Sequence, residues 1–282
     1  MNGNNTKVIW YFAVYEEDFF SKIPGRNRMK EYDFYGEVKN WDFSTIKMTK
    51  ECLTDWDMRR IISQNATRKS RILDLGTGGG EKVLKDFPDV AEILGTDYSE
   101  TMIQTANENL KKSGKKNIVF RVMDNLEMDT PEEYFDIVTA RHTCTNPVQI
   151  YKTLKPGGVL IVRGVDQLDC WELKRLFKRG QAFHDKKSIS RIDYEAILDA
   201  GFRKVELVPI HTREYFDTPD DLLAVLHKAP ILDDFSETML NDNQKYIIDS
   251  ELFEQYVAEH RTKKGILLIR RYYGITARKV AS

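Results

Sequence analysis

A short apolar run that carries a carboxylate and opens into a glycine-rich loop constrains this chain more than any other feature. Residues 72–80 read Ile-Leu-Asp-Leu-Gly-Thr-Gly-Gly-Gly. Ile72, Leu73 and Leu75, on either side of Asp74, suit a strand buried on both faces of a parallel sheet. Gly76, Gly78, Gly79 and Gly80 then let the backbone turn sharply and leave main-chain atoms open to a ligand. The next apolar run, Ile93-Leu94-Gly95-Thr96, ends in Asp97. An acidic residue about 20 positions on suits ribose hydroxyls, because one carboxylate accepts two hydrogen bonds. Strand, glycine loop and strand-end acid together predict a nucleotide-binding α/β sheet.

The pattern continues downstream. Ser99 reads as an N-cap with Glu100 in the first turn. Met102, Ile103, Ala106 and Leu110 place one apolar stripe on that helix, and Gly114 closes it. A third strand at 118–122 leads into Asp124 and Asn125, and a fourth at 135–140 leads into Arg141 and His142. A fifth, at 159–162, follows the tight turn Lys155-Pro156-Gly157-Gly158.

This order of elements resembles the class I S-adenosylmethionine-dependent methyltransferases. The matching pieces are Asp74-Leu75-Gly76-Thr77-Gly78-Gly79-Gly80, Asp97, Asp124-Asn125, Phe135-Asp136-Ile137-Val138 and Leu154-Lys155-Pro156-Gly157-Gly158. The likeness is tight from about 70 to 165, looser to about 278, and absent over 1–69. It implies an α/β fold with a doubly wound, mostly parallel seven-stranded sheet whose last strand is antiparallel. An N-terminal cap or substrate-side segment, 1–69, would precede a methyltransferase domain, 70–282, carrying a helical insertion at 217–263. The cofactor would be S-adenosyl-L-methionine and its product S-adenosyl-L-homocysteine.

Carried over residue by residue, the resemblance puts Gly76, Gly78 and Gly80 close to the methionine and ribose portion. Asp74, Thr77 and Arg141 fall in the same cofactor site. Asp97 would hold the ribose diol, with Tyr98 and Met102 packing near the adenine. Asp124 would accept from the adenine amino group, and the Asn125 backbone would meet a ring nitrogen. Plainer roles stand beside these: loop-capping carboxylates for Asp74 and Asp97, core for Met102, a turn for Asp124. A dinucleotide cofactor fits less well. Its G-x-G-x-x-G fingerprint ends in glycine where this chain has Glu81, and a carboxylate beside a pyrophosphate adds like charge.

The region after the fourth strand should carry the chemistry, because ligands of open α/β sheets bind beyond the carboxyl ends of the strands. Arg141, His142, Thr143 and Asn146 therefore fall near the transferable methyl group. His142 is the candidate general base, with a capping or pocket-lining role as the alternative. Arg141 is either an anchor for an anionic substrate or one half of a surface ion pair. Asp166, after the fifth strand, is a second candidate base. The Asn-Pro-Pro-aromatic signature of exocyclic-amine methyltransferases is missing, since the position reads Arg141-His142-Thr143-Cys144. The expected acceptor is O or N of a small molecule.

At 282 residues with 41% hydrophobic content, the chain can bury a sizeable core as one large domain or two small ones. A formal net charge of −1 gives no global pull toward nucleic acid or acidic membranes. Cys52, Cys144 and Cys170 form neither a disulfide framework nor a C-x-x-C metal site, so no metal and a cytoplasmic setting are expected. The apolar segment 8–15 is too short to span a membrane and lacks the features of a signal peptide, so it reads as a buried strand or packing segment.

In the N-terminal region, 22–30 reads as a basic loop and Thr49 to Ile62 as a helix. Trp10, Phe12, Tyr32, Tyr35 and Trp41 either cover the site or are core. Ser190 to Gly201 reads as a helix with Ser190 and Asp193 at capping-box spacing. Arg203 to Thr212 reads as a strand that Pro209 confines to an edge or bulge, and Gly265 to Thr276 as the last strand beside it. Thr218-Pro219-Asp220-Asp221 starts a helix in the insertion, Ala229-Pro230 stops it, and Ser250 begins a second. These helices are expected to form a lid, a substrate-facing cap or a dimer surface, or else an appendage on the sheet end.

One local stretch points toward RNA. Lys174-Arg175-Leu176-Phe177-Lys178-Arg179, followed by His184, Lys186, Lys187 and Arg191, interleaves cations with aromatics within 171–191, as a backbone-tracking groove does. The alternative is a solvated amphipathic helix. An RNA base methyltransferase is accordingly the second reading, although the N-terminal cysteine cluster of the ribosomal RNA guanine enzymes is reduced here to Cys52. A non-catalytic cofactor-binding partner is the third.

Overall fold

The apolar run before the glycine loop forms an interior strand of a nine-stranded sheet. The computed structural model describes residues 43–233 and 248–280. The segments 8–15 and 22–30, with Trp10, Phe12, Tyr32, Tyr35 and Trp41, lie outside the described residues. In chain order the strands are β1 Met48–Cys52, β2 Arg71–Leu75, β3 Glu92–Asp97, β4 Ile118–Val122, β5 Phe135–Arg141, β6 Leu154–Val165, β7 Arg203–Phe216, β8 Arg261–Thr262 and β9 Gly265–Arg278. The helices are α1 Met58–Asn65, α2 Glu81–Asp86, α3 Glu100–Ser113, α4 Pro147–Thr153, α5 Trp171–Phe177, α6 Ile189–Asp199, α7 Pro219–Lys228 and α8 Ser250–His260.

The strand order is β1-β7-β9-β6-β5-β2-β3-β4, with β8 paired to β9. Strands β2 to β6 pair in parallel, while β9 runs antiparallel between β6 and β7. The expected seven-stranded sheet is therefore present, and β1 and β8 enlarge it to nine. Expecting a helix from Thr49 to Ile62 is wrong in its first half. Met48 to Cys52 pair residue for residue with Phe216 to Thr212 on the free edge of β7. The helix begins only after Asp57, whose carboxylate caps the Arg60 N–H at 2.6 Å. An edge available for pairing overrides the local helical spacing. Because β1 stops opposite Thr212, the stretch around Pro209 lies at the sheet edge, as its missing N–H requires.

Burial on both faces explains why β2 reads as continuous apolar sequence. Leu73, Leu75, Val138 and Leu160 pack under α4 and α6, where Ile150 and Ile197 meet them. Ile72, Ile137 and Ile161 pack on the other face against Met58 and Ile62 of α1, Val83 of α2, and Ile103 and Ala106 of α3. Each such side chain contributes roughly 1.5–3 kcal/mol on burial. Helix α3 has the expected ends. Ser99 caps the Met102 N–H at 3.3 Å, and Gly114 ends it in a left-handed conformation at φ +68°.

Helix α6 starts differently from expectation. Its N-cap is Ser188, and no capping box forms between Ser190 and Asp193. The Ser190 hydroxyl instead donates to Asp166 at 2.8 Å, while Asp193 accepts from the Tyr273 hydroxyl. Both side chains are drawn to tertiary partners on the sheet.

The insertion builds a third apolar cluster beyond the carboxyl end of β6. Phe216 of β7 and Ile266 and Leu268 of β9 meet Leu173 of α5, Leu222 and Val225 of α7, and Phe253, Tyr256 and Val257 of α8. The Thr218–Asp221 capping box is formed reciprocally, each side chain accepting the other's backbone N–H at 3.2 Å. Helix α8 is capped by Asp249, which accepts from Leu252 N at 3.0 Å.

Candidate active site

The loop after β2 crosses the carboxyl edge with Gly76, Gly78 and Gly80 at φ +70°, +58° and +75°. Thr77 N donates to Thr96 O at 2.8 Å, pinning the loop to β3. A Cβ on Gly76 would lie 2.6 Å from the Cβ of Thr143, so only glycine lets the segment after β5 close against the loop. Asn125 Nδ2 donates to Thr143 Oγ1 at 2.9 Å and links that segment to the end of β4. Thr77 Oγ1 is buried within the loop and faces Asp74.

Two carboxylates meet this loop. Asp74 is buried and accepts from Thr139 Oγ1 at 2.5 Å. Burial pushes its pKa up, opposed by the Thr139 hydroxyl and the Arg141 charge. Asp97 accepts from Gly78 N and Ser99 N, each at 2.9 Å. Burial raises its pKa too, against the backbone N–H groups of Ser99 and Gly78. Asp124 accepts from Leu126 N at 2.8 Å, which is a turn role. Tyr98 is exposed beside Asp97, and Met102 is buried at 2% exposure.

These features fit the cofactor that the resemblance implies. S-adenosylmethionine carries an ammonium and a sulfonium, which complement the buried Asp74 carboxylate, and a ribose diol able to donate two hydrogen bonds to Asp97. The Thr77 hydroxyl, buried beside Asp74, has further hydrogen-bonding capacity for a polar ligand. A pyrophosphate would instead meet the buried Asp74, and Glu81 at the end of the loop, with like charge, so the dinucleotide reading loses further ground.

On the other side of Thr143 the tips of β5, β6 and β9 gather cations around one ring. His142, at φ +52°, stacks on the buried Tyr272 with centroids 5.4 Å apart and planes 7° apart. Arg163 lies over the same ring at 4.0 Å, and its guanidinium meets His142 Nε2. Arg141 is the register partner of Arg163, and its guanidinium reaches the Met58 sulfur at 3.5 Å. Crowding by the surrounding residues, then the charges of Arg163, Arg141 and Arg270, hold the exposed His142 well below its usual pKa. It is therefore neutral at pH 7.

The remaining candidates are tied into the fold. Asn146 caps α4, accepting from Gln149 N at 3.2 Å, and donates to Leu126 O at 3.0 Å. Asp166 accepts from Leu168 N at 3.0 Å and from Ser190, so both of its oxygens hold structure. Sequence reasoning missed Arg163, Tyr272 and Trp56, whose indole lies over Gly274 next to Arg163 in the sheet. Strand parity could have found Arg163, which lies one register step beyond the 159–162 run.

Comparison with known proteins agrees with this geometry. A family model described as a methyltransferase domain matches residues 66–212, just over half of the chain. Ribosomal protein L11 methyltransferase of Listeria innocua is 32% identical over 111 residues, which is 38% of this chain and 35% of that protein. The ubiquinone/menaquinone biosynthesis C-methyltransferase of Vibrio vulnificus is 28% identical over 140 residues, covering 46% of this chain and 54% of that one. The chain thus spans about a third to a half of the curated relatives it matches. A solved Deinococcus radiodurans protein of unknown function superposes with a TM-score of 0.55 at 12% identity, over 90% of this chain and 100% of that one, and so shares the fold. With its family match, its sheet and its glycine loop, the chain belongs to the class I S-adenosylmethionine-dependent methyltransferase family.

Proposed function

We propose that the protein methylates an oxygen or nitrogen of a small-molecule acceptor, with His142 as the proton acceptor. The supporting observation is the His142 ring stacked on Tyr272, beside the Thr143 segment that closes on the glycine loop, with neighbouring arginines holding its pKa down. On this reading Asp97 holds the ribose diol, and Asp74, Thr77 and the backbone of Gly76, Gly78 and Gly80 hold the remainder of the cofactor. Tyr98, Met102, Asp124, Asn125 and Arg141 complete that site. S-adenosylmethionine supplies a methyl group already activated by its sulfonium. The acceptor's N–H or O–H loses its proton as the new bond forms, and His142 takes it.

The RNA reading draws less support from the side chains. Lys174 is buried at 1% exposure and bound to the carbonyls of Gln167 and Gln181, each at 2.9 Å. Phe177 is buried, while Lys187 and Arg191 both pair with Glu195. The stretch 171–191 therefore gives Lys174 and Phe177 to the interior and pairs two more of its cations with Glu195. We further propose that 1–69 serve the substrate side of the 70–282 methyltransferase unit while lending β1 and α1 to its sheet and core, that the insertion offers an oligomer surface, and that the protein works in the cytoplasm. No helix among the described residues is long and apolar enough to cross a membrane.

The test has two parts. Methyl-labelled S-adenosylmethionine incubated with fractionated cell extract should label small molecules, whereas label in RNA would reverse the substrate class. With the labelled acceptor in hand, His142→Gln should lower turnover about 10²–10⁴-fold with little change in S-adenosylhomocysteine affinity. Because the folded pKa is depressed, the base form persists as pH falls. The acid limb of the wild-type rate should therefore lie below about pH 6.5 and vanish in the variant. Unchanged turnover would remove His142 as the base.

A further inference from the structure

We infer that Arg163 binds an anionic group, a carboxylate or a phosphate, carried by the methyl acceptor. The inference rests on the methyltransferase reading only for what that group is attached to. Among the described residues Arg163 has no carboxylate partner, and its neighbours show how unusual that is. Arg270 forks onto Asp169 at 3.0 Å and reaches Glu214 at 3.6 Å, and Arg271 pairs with Glu172 at 3.3 Å. Arg163 instead lies half-buried over Tyr272, with Arg141 beside it in register and Arg270 on the same ring at 5.0 Å. A crowded guanidinium among like charges is costly unless something neutralises it. The Arg163 pKa is drawn down first by burial and then by Arg141 and Arg270, against the opposing pull of Tyr272.

The surroundings suit a planar anion. Tyr272 holds the guanidinium plane by cation–π contact. Trp56 covers the adjacent sheet position at Gly274. A guanidinium recognises carboxylate and phosphate oxygens through a two-pronged fork.

The position of Arg163 also bears on the base. It occupies the lone pair of His142 Nε2, and a neutral imidazole has no second one. An anion that draws the guanidinium onto itself frees Nε2 to take the acceptor's proton. Neutral look-alikes would leave the base engaged.

Inorganic phosphate and acetate serve as probes, titrated separately into full-length protein with and without S-adenosylhomocysteine. The signal is the His142 imidazole proton resonance, assigned by its loss in His142→Gln, with sodium chloride at matched ionic strength as the control. A saturable shift by either probe beyond the chloride control supports the site, and the tighter probe names the anion. Arg163→Gln should weaken that binding about tenfold or more, Arg163→Lys should fall between, and both should keep wild-type S-adenosylhomocysteine affinity. No shift beyond chloride, or equal probe affinity in Arg163→Gln, would overturn the inference. Failure of the wild type to bind S-adenosylhomocysteine would count against the methyltransferase reading instead, since the probes are also read without it.

Discussion

The two ends of this sheet use charge in opposite ways. Around β2 and β3, the carboxylates of Asp74 and Asp97 meet hydroxyl and backbone donors rather than a paired cation, and burial outweighs those donors and raises their pKa values. At the far end, where β7 and β9 extend under α5, α7 and α8, charge answers charge. Lys50 meets Glu214 at 2.9 Å, Glu214 meets Arg270, and Arg270 grips Asp169. Under the proposed function the first end receives the cofactor, whereas the second is already neutralised and holds the insertion in place. Arg163 stands between them and follows the pattern of the ligand end.

The comparison breaks most visibly at Asp169. This residue accepts from Arg270 and also from Arg271 N at 2.6 Å. Asp169→Ala leaves a largely buried guanidinium short of its main partner, with only Glu214 remaining. Removing one member of a buried pair costs about 3–5 kcal/mol, and the residual partner puts this case near 3 kcal/mol. Urea denaturation should show that loss while S-adenosylhomocysteine affinity at native conditions stays close to wild type. A matching drop in cofactor affinity would mean that the two ends are not separable.

Asp97→Ala is the complementary test at the ligand end. It removes the acceptor for Gly78 N and Ser99 N along with the proposed ribose contact. Hydrogen bonds to a charged group contribute about 1.5–3 kcal/mol each, so S-adenosylhomocysteine affinity should fall roughly 100-fold. The stability cost should be smaller than at Asp169, because a carboxylate with a raised pKa is destabilised by its burial at neutral pH. The sign follows from that direction. The stabilising contribution of such a group is present at acid pH, below its unfolded pKa, and is lost as pH rises through the folded value. Wild-type cofactor affinity in this variant would sink the assignment of Asp97.

The same contrast explains what the sequence revealed. The ligand end is made of local signals: an apolar run, positive-φ glycines, a strand-end acid, and an N-cap with a stop at Ser99 and Gly114. Each acts within a few residues of itself, so each is legible without the fold. The far end depends on which strand lies beside which. Thr49 to Cys52 read as helix because nothing nearby announces the free edge of β7 that they fill. Strand parity places Arg163 at the strand end, but its meaning comes from Tyr272, more than a hundred positions away. The basic run from Lys174 looked like one surface, yet Lys174 points inward to backbone carbonyls. Charge in a sequence shows that cations are present, and only tertiary contacts show which are already neutralised.

The smallest expected effect lies at the start of α6, where a capping box was anticipated and a tertiary bond was found. Ser190→Ala removes the 2.8 Å donation to Asp166. A single hydrogen bond of this kind contributes about 0.5–1.5 kcal/mol, and urea denaturation should show a loss in that range. The origin of the loss is separable by a double-mutant cycle with Asp166→Ala. If Ser190 acts through Asp166, the two losses overlap, and the double variant is barely less stable than Asp166→Ala alone. If Ser190 acted as a local cap through Asp193, the losses would add, and the cycle with Asp193→Ala would show the coupling instead. Additive losses with Asp166 would return α6 to the local reading and remove one of the bonds that join this helix to the end of β6.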